Sequence, residues 1–186
     1  MNRPAARACD PVLRGALFAG LAFLGACTAP PPDTLGPTSD GLAPCPHAPN
    51  CIHTGDGHPE GVSPLILTDD WQGRPSDEVW AAIESAVASL PRTEIVLRTD
   101  DYLHAESRSR VFGFTDDLEV YRVPDSPELV VRSEARVGRS DMGVNMRRVE
   151  SLREALQARG VVETAARRRA TFREAPMGEG PPASVT

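Results

Sequence analysis

A stretch of alternating side chains between residues 102 and 136 constrains the fold more than any other part of the chain. From 102 to 110, polar and charged residues alternate with small or apolar ones, so each kind falls on one side of an extended strand. The stretches 93–99, 117–123 and 128–136 also have strand character, and short turns join neighbouring strands. Short connections favour antiparallel pairing, so the sequence predicts a four-stranded, mostly antiparallel sheet.

Two amphipathic helices flank these strands. Apolar residues recur at helical spacing from Val79 to Leu90 and again from Met146 to Leu156. Asn145 is expected to cap the second helix at its start. The order helix, four strands, helix predicts an α+β fold with both helices on one face of the sheet. The other face then carries the charged half of the alternation.

The first 27 residues have the features of a targeting segment. Arginines precede an apolar run, residues 15–26, that is too short to span a bilayer as a permanent helix. The run ends in Leu24-Gly25-Ala26-Cys27, which resembles the lipobox of bacterial lipoproteins, whose cysteine is acylated and becomes the mature N-terminus. An ordinary secretory signal with a chance cysteine is the alternative interpretation.

The lipobox resemblance implies a location in the cell. It implies a lipoprotein signal peptide over residues 1–26 and an acyl anchor, such as palmitate, on Cys27. We therefore expect a partner membrane and a place in the bacterial cell envelope, on the periplasmic face of a membrane, with the outer membrane favoured. The net charge of −6 argues against a general nucleic-acid binder.

Composition divides the rest of the chain. Residues 27–43 are rich in Pro, Gly, Ser and Thr without a hydrophobic period, which predicts a disordered tether. The domain is expected over residues 44–160. Residues 161–186 include the basic run Arg167–Arg169 and a Pro/Gly tail, which together indicate a largely disordered C-terminal extension.

Two cysteines remain once Cys9 has left with the signal peptide and Cys27 carries the lipid. In an oxidising envelope, the pair Cys45 and Cys51 predicts a disulfide. The alternatives are free thiols or a zinc or copper site that includes the nearby histidines His47, His53 and His58. We expect neither a metal nor a cofactor.

Four motifs occur in a fixed order between residues 44 and 158. They are CPHAPNC at 45–51, YLHAESRS at 102–109, FGFTDDLE at 112–119 and VRSEARVGRSDMGVNMRRVE at 131–150. Together they resemble the bacterial and plastid domain of unknown function 1499. The function of that family is not established, so the resemblance implies a domain without implying a mechanism. Family members commonly carry CVSS at the second cysteine, where this chain has Ile52-His53 after Cys51.

The charged residues of the strands and of the following loop favour a site for a small anionic or polar ligand. Arginine forks bind carboxylate or phosphate, and the start of the second helix offers backbone N–H groups. We expect the ligand-binding residues to be Arg108, Arg132, Arg136, Asp116, Asp117, Glu106, Asp141 and Asn145. A structural lattice of salt bridges among these side chains is the alternative.

Two classes of function are consistent with the sequence. The first is a non-enzymatic envelope lipoprotein that binds a ligand or partner through the charged face, and it is the one we favour. The second is an envelope hydrolase that uses Asp116/Asp117 or His104, with Ser109 or Ser133 as nucleophile. No Gly-x-Ser-x-Gly elbow supports the hydrolase, and we assign no catalytic residue.

Overall fold

The computed structural model describes residues 29–46, 48–55 and 62–164 and has an α+β fold. The strands are β1 Pro37–Thr38, β2 Gly41–Leu42, β3 Cys51–His53, β4 Leu65–Ile66, β5 Thr93–Arg98, β6 Tyr102–Arg108, β7 Thr115–Arg122 and β8 Glu128–Ala135. The helices are α1 Asp69–Gln72, α2 Ser76–Ala88 and α3 Val144–Ala158.

The main sheet is antiparallel and has six strands, two more than the sequence predicts. Its order is β3-β8-β7-β6-β5, and β4 also pairs with β8. Strands β5 to β8 are the four predicted strands, each paired with its neighbour in the chain. Strands β3 and β4 contain only three and two residues, which is too short for a visible alternation. Strands β1 and β2 form a separate hairpin.

A single apolar core joins α2, α3 and the sheet. Trp80 and Ile83 of α2, Leu118 of β7, Val131 of β8 and Leu152 of α3 all belong to it and are fully buried. Burial of each such side chain contributes about 1.5–3 kcal/mol to folding. The indole N–H of Trp80 donates to the backbone oxygen of Asp100 over 2.7 Å, so this side chain is a satisfied core residue.

Part of each segment that the sequence predicts to be disordered packs on the domain. The backbone of Ala29 and Gly36 bonds to side chains of the sheet, and the side chain of Leu42 is buried beside Tyr102 and Val130. Val161 and Val162 are also buried in the main core. Composition averages over these few apolar side chains, which is why it misses them. Residues 165–186, with the basic run, lie outside the described residues.

The targeting segment, residues 1–26 together with Cys27, also lies outside the described residues. Within the part of the chain that the structure describes, no helix has the length and apolar character needed to cross a bilayer.

Candidate functional site

The face of the sheet away from the apolar core, which we call the outer face, carries a dense set of charged side chains. Successive residues of a strand project to opposite sides, so the residues between the core positions share this face. The antiparallel register aligns them in two rows across the strands. The rows are His104, Glu119, Arg132 and His53 in one, and Glu106, Asp117 and Glu134 in the other.

Arg132 is the centre of the first row. Its Nη1 donates to Glu119 Oε2 over 2.7 Å, its Nη2 donates to Glu134, and its side chain is only 2% exposed. The second oxygen of Glu119 accepts from the hydroxyl of Tyr102 and from the backbone N–H of Gly36, each at 2.9 Å. Burial raises the pKa of Tyr102, and the charge of Glu119 adds to this effect. Both oxygens of Glu119 therefore have internal partners.

Arg136 is the centre of a second group. Its Nε and Nη2 donate to the two oxygens of Asp117 over 2.8 and 2.7 Å, which is the bidentate geometry of a strong ion pair. Nη2 also donates to Glu106, and His104 Nε2 lies 2.8 Å from Asp117 Oδ1. Burial alone would raise the pKa of Asp117, but the hydrogen bonds from Arg136 and His104 outweigh it and lower that pKa.

The N-terminal segment covers the outer face. Arg136 Nη1 donates to the backbone oxygen of Ala29 over 3.2 Å, and the N–H of Gly36 is bound to Glu119 further along the same face. The charged face that the sequence predicts is therefore present but largely buried. Most of its arginine donors are already paired with carboxylates of the same domain.

Among the described residues, three buried groups of this face that can donate have no partner in hydrogen-bond geometry: Arg132 Nε, His53 Nε2 and, at the start of β7, Thr115 Oγ1. The backbone of Leu42 lies near the ring of His53 and raises the pKa of His53 against the effect of burial, so Arg132 Nε is the more fully unmet of the two donors on β3 and β8. The strand register sets His53 directly opposite Arg132. His53 Nδ1 accepts from the N–H of Gly55 over 2.9 Å, so Nε2 carries the proton of the neutral ring. Burial lowers the pKa of His53, and the positive charge of Arg132 acts in the same direction.

A groove adjoins His53, between the β1–β2 hairpin and the sheet, and Arg132 lies behind His53 without lining it. It has a volume of about 870 Å³. Thr38 and Leu42 of the hairpin line one side, and His53, Tyr121 and Val130 line the other. This groove and the His53–Arg132 pair form the candidate site.

A second polar cluster lies on the opposite side of the sheet and includes residues of α3. Arg148 Nη2 donates to Asp116 Oδ2 over 2.7 Å, and Arg148 Nη1 donates to the side-chain oxygen of Asn145. Ser133 Oγ donates to that same oxygen over 2.7 Å, and Asn145 Nδ2 donates to the backbone oxygen of Asn50 over 3.0 Å. Burial raises the pKa of Asp116, and Arg148 opposes that rise. The cluster joins α3 to the sheet.

The structure corrects the expected cap of α3. Asn145 is the second residue of the helix, is fully buried and does not cap it. The carboxylate of Asp141 instead accepts from the N–H groups of Gly143 and Asn145, over 2.9 and 2.6 Å. These N–H groups therefore have a partner within the chain, and Asp141 has a structural contact at the start of α3.

The eight residues expected to bind a ligand do not share one location. Arg132, Arg136, Asp117 and Glu106 lie on the outer face, whereas Asp116 and Asn145 belong to the second polar cluster, with Arg148. Asp141 lies at the start of α3. Arg108 is exposed at the end of β6.

The expected nucleophile and base are separated as well. His104 projects to the outer face with Asp117, but Ser133 projects to the opposite side of the sheet with Asp116. The hydroxyl of Ser109 accepts from the N–H of Phe114 in the loop after β6. No Ser–His–Asp arrangement therefore occurs among these candidates.

The cysteine prediction is confirmed. Cys45 and Cys51 form a disulfide with an S–S distance of 2.06 Å. Within residues 29–46, 48–55 and 62–164, no three His, Cys, Asp or Glu side chains are grouped as a metal site requires. His47 and His58 lie outside the described residues.

The sequence interpretation missed Arg148 and Asn50 and did not pair Tyr102 with Glu119. One signal was present: Asn145 and Arg148 are three positions apart beside the apolar stripe of α3, so both can reach the sheet. The Tyr102–Glu119 pair depends on a diagonal contact between β6 and β7, which requires the register of the hairpin.

These features define a class: an α+β domain whose sheet carries a buried polar cluster on each face. Comparison with protein families then identifies it. The family model described as a protein of unknown function (DUF1499) matches residues 41–156, so the chain belongs to this family and the resemblance of its motifs is confirmed. No curated protein matches the chain at a significant level.

Proposed function

We propose that this chain is a lipoprotein of the bacterial cell envelope, anchored through Cys27, whose domain binds a small anionic or polar ligand and catalyses no reaction. The anchor and the envelope location rest on the lipobox of residues 24–27 and on the apolar run before it. The disulfide supports an oxidising compartment.

The pair of donors at His53 and Arg132 carries the binding part of the proposal. Buried N–H groups are nearly always paired, because an unmet donor costs about 1–3 kcal/mol. Two such donors on directly opposed residues suit a ligand with adjacent acceptor oxygens, such as a carboxylate, phosphate or sulfate. The groove beside His53 offers a volume suited to a small molecule.

The arrangement of the sheet supports the same proposal. In this proposal, α2 and α3 lie together on one face of the sheet, because residues of both helices share one core with Leu118 and Val131. Among the described residues, the opposite face is then covered by the N-terminal segment, through Ala29 and Gly36. A ligand would reach His53 and Arg132 from the side of the β1–β2 hairpin.

The separation of the acid–base groups supports the absence of catalysis. Asp116 and Asp117 are neighbours in the chain but project to opposite faces, so they cannot act on one substrate atom. His104 is buried and held against Asp117. A hydrolase needs a nucleophile within hydrogen-bonding reach of its base.

Thermal unfolding in the presence of anions tests the ligand site. Phosphate, sulfate and acetate are compared with chloride at equal ionic strength. A ligand present at 100 times its Kd stabilises the native state by about 2.7 kcal/mol. We expect at least one anion to raise the Tm of the wild type but not of His53→Phe, which keeps an aromatic ring and removes the donor.

Arg74→Ala is the matched control, because Arg74 is an exposed arginine whose contacts are with its sequence neighbours: it pairs with Glu78, donates to the backbone oxygen of Asp70 and lies over the ring of Trp71. It should respond to the anion as the wild type does. Equal shifts in wild type and His53→Phe would remove the proposed site.

The anchor has a separate test. Cys27→Ser should move the protein from the membrane fraction to the soluble envelope fraction. Wild-type protein that never incorporates labelled palmitate would contradict the lipoprotein assignment.

A further inference from the structure

One end of the domain exposes a cluster of large apolar side chains. We call it the loop end; it consists of the loop 109–114 between β6 and β7, the loop 136–143 after β8, and the start of α3. The side chain of Met142 is 87% exposed and that of Phe112 is 72% exposed. The exposed apolar residues at this end are Val111, Phe112, Phe114, Val137, Met142 and Val144.

The strand register brings the two loops together. Arg108 pairs with Thr115 at the end of the β6–β7 hairpin, and the N–H of Arg136 donates to the backbone oxygen of Thr115 over 3.3 Å. The rings of Phe112 and Phe114 stack with their centroids 5.5 Å apart. Large exposed apolar side chains gathered at one end of a domain and bordered by polar residues are typical of a surface that contacts a protein or a membrane.

The border of this patch is basic, although the chain as a whole has a net charge of −6. The exposed arginines around the loop end are Arg92, Arg108, Arg110, Arg139 and Arg147. Asp141 is the one acidic residue in the sequences of the two loops, and its oxygens are bound to backbone N–H groups. Apolar side chains ringed by arginine complement a bilayer that contains anionic lipids.

The path of the N-terminal segment brings its first described residue to the same end. The backbone oxygen of Ala29 is bound to Arg136, the first residue after β8. Cys27 precedes Ala29 by two residues, which span at most about 7 Å. An acyl chain on Cys27 would therefore enter the bilayer close to the apolar loops.

We propose that the loop end is a membrane-docking surface, which places Phe112 and Met142 in the headgroup region of an anionic bilayer. This inference rests on the proposed lipid anchor. Aromatic and long apolar side chains occupy the interface well, while the arginines remain beside the phosphates. The anchor thus holds the domain in one orientation, with the loop end facing the membrane and the turn between β5 and β6 pointing away from it.

Fluorescent labelling of the acylated mature protein, which begins at Cys27 and no longer contains Cys9, tests the orientation. Met142→Cys introduces one free thiol, because Cys45 and Cys51 are joined and Cys27 carries the lipid. The thiol is labelled with an environment-sensitive fluorophore, and the protein is reconstituted in vesicles of phosphatidylethanolamine and phosphatidylglycerol. We expect the fluorescence emission of the vesicle-bound protein to shift to the blue. Iodide should quench this fluorescence severalfold less than it quenches that of the labelled, denatured chain in detergent-free buffer.

Thr99→Cys is the matched control, since Thr99 is exposed in the turn between β5 and β6 at the other end of the sheet. A label there should remain fully open to iodide. Arg110→Gln combined with Arg139→Gln should reduce the protection at position 142 without changing the amount of protein that sediments with the vesicles.

The outcomes separate the anchor from the docking surface. Protein that fails to sediment with the vesicles would contradict the anchor itself. Sedimenting protein whose labels at 142 and 99 are equally quenched would overturn the docking surface alone. Protection that rises with the protein-to-lipid ratio would assign the loop end to a second copy of the chain and would also overturn the proposal.

Discussion

Replacing Arg132 with methionine removes the positive charge at the centre of the outer face but keeps an apolar stem of similar length. Two carboxylates lose their partner: Glu119, whose side chain is 1% exposed, and Glu134, which is 16% exposed. Arg136 cannot replace the lost charge, because its fork is bound to Asp117.

The expected loss follows from this burial. Removing one member of a buried ion pair costs about 3–5 kcal/mol, because the remaining charge stays buried without compensation. The free energy of unfolding decreases by about 1–3 kcal/mol for each molar of urea, so the urea concentration at the midpoint of unfolding should fall by roughly 2 M. Arg74→Met, which breaks an exposed pair with Glu78, should cost less than about 1 kcal/mol.

Urea unfolding followed by tryptophan fluorescence measures both variants against the wild type. The double variant Arg132→Met with Glu119→Gln separates charge from packing, because glutamine keeps an acceptor oxygen for Tyr102 while removing the stranded charge. It should be more stable than Arg132→Met alone. A loss for Arg132→Met no larger than that for Arg74→Met would refute the buried-pair argument.

Two further predictions concern pH and the start of α3. Since burial lowers the pKa of His53, the stability contributed by its neutral ring is complete above the unfolded value of about 6.5. That contribution is lost as the pH falls from there through the lowered pKa, so urea unfolding of His53→Phe should depend less on pH than that of the wild type in this range. Asp141→Ala should lower the free energy of unfolding by about 1 kcal/mol, because it frees two N–H groups, whereas Asp141→Asn should lose less; equal losses would argue against this role.

The hairpin strands and both long helices could be read from the sequence, because their periodicity extends over six residues or more. Trp80 is buried, and so are Val149, Leu152 and Leu156 of α3, as their spacing indicates. The family and the disulfide followed from motifs and from cysteine counting. These signals are local, and they do not depend on how distant segments pair.

The candidate site was less predictable because its geometry depends on register and on a distant segment. Nothing local in Gly36 indicates that its N–H will bind Glu119, 83 positions later. The sequence of residues 27–43 has no apolar periodicity, yet backbone groups of this segment form hydrogen bonds with buried charged side chains of the sheet. The pairing of His53 with Arg132 likewise requires β3, whose three residues carry no strand signal of their own.

The attachment of the N-terminal segment to the outer face also sets how far the domain can travel from its anchor. A free tether over residues 27–43 would extend about 50 Å. With Ala29 held by Arg136 and Gly36 held by Glu119, an anchor at Cys27 leaves only about 7 Å of unattached chain. A domain anchored in this way would explore a layer no thicker than itself and would diffuse in two dimensions, so any molecule that it met would have to come to the bilayer surface or already reside there.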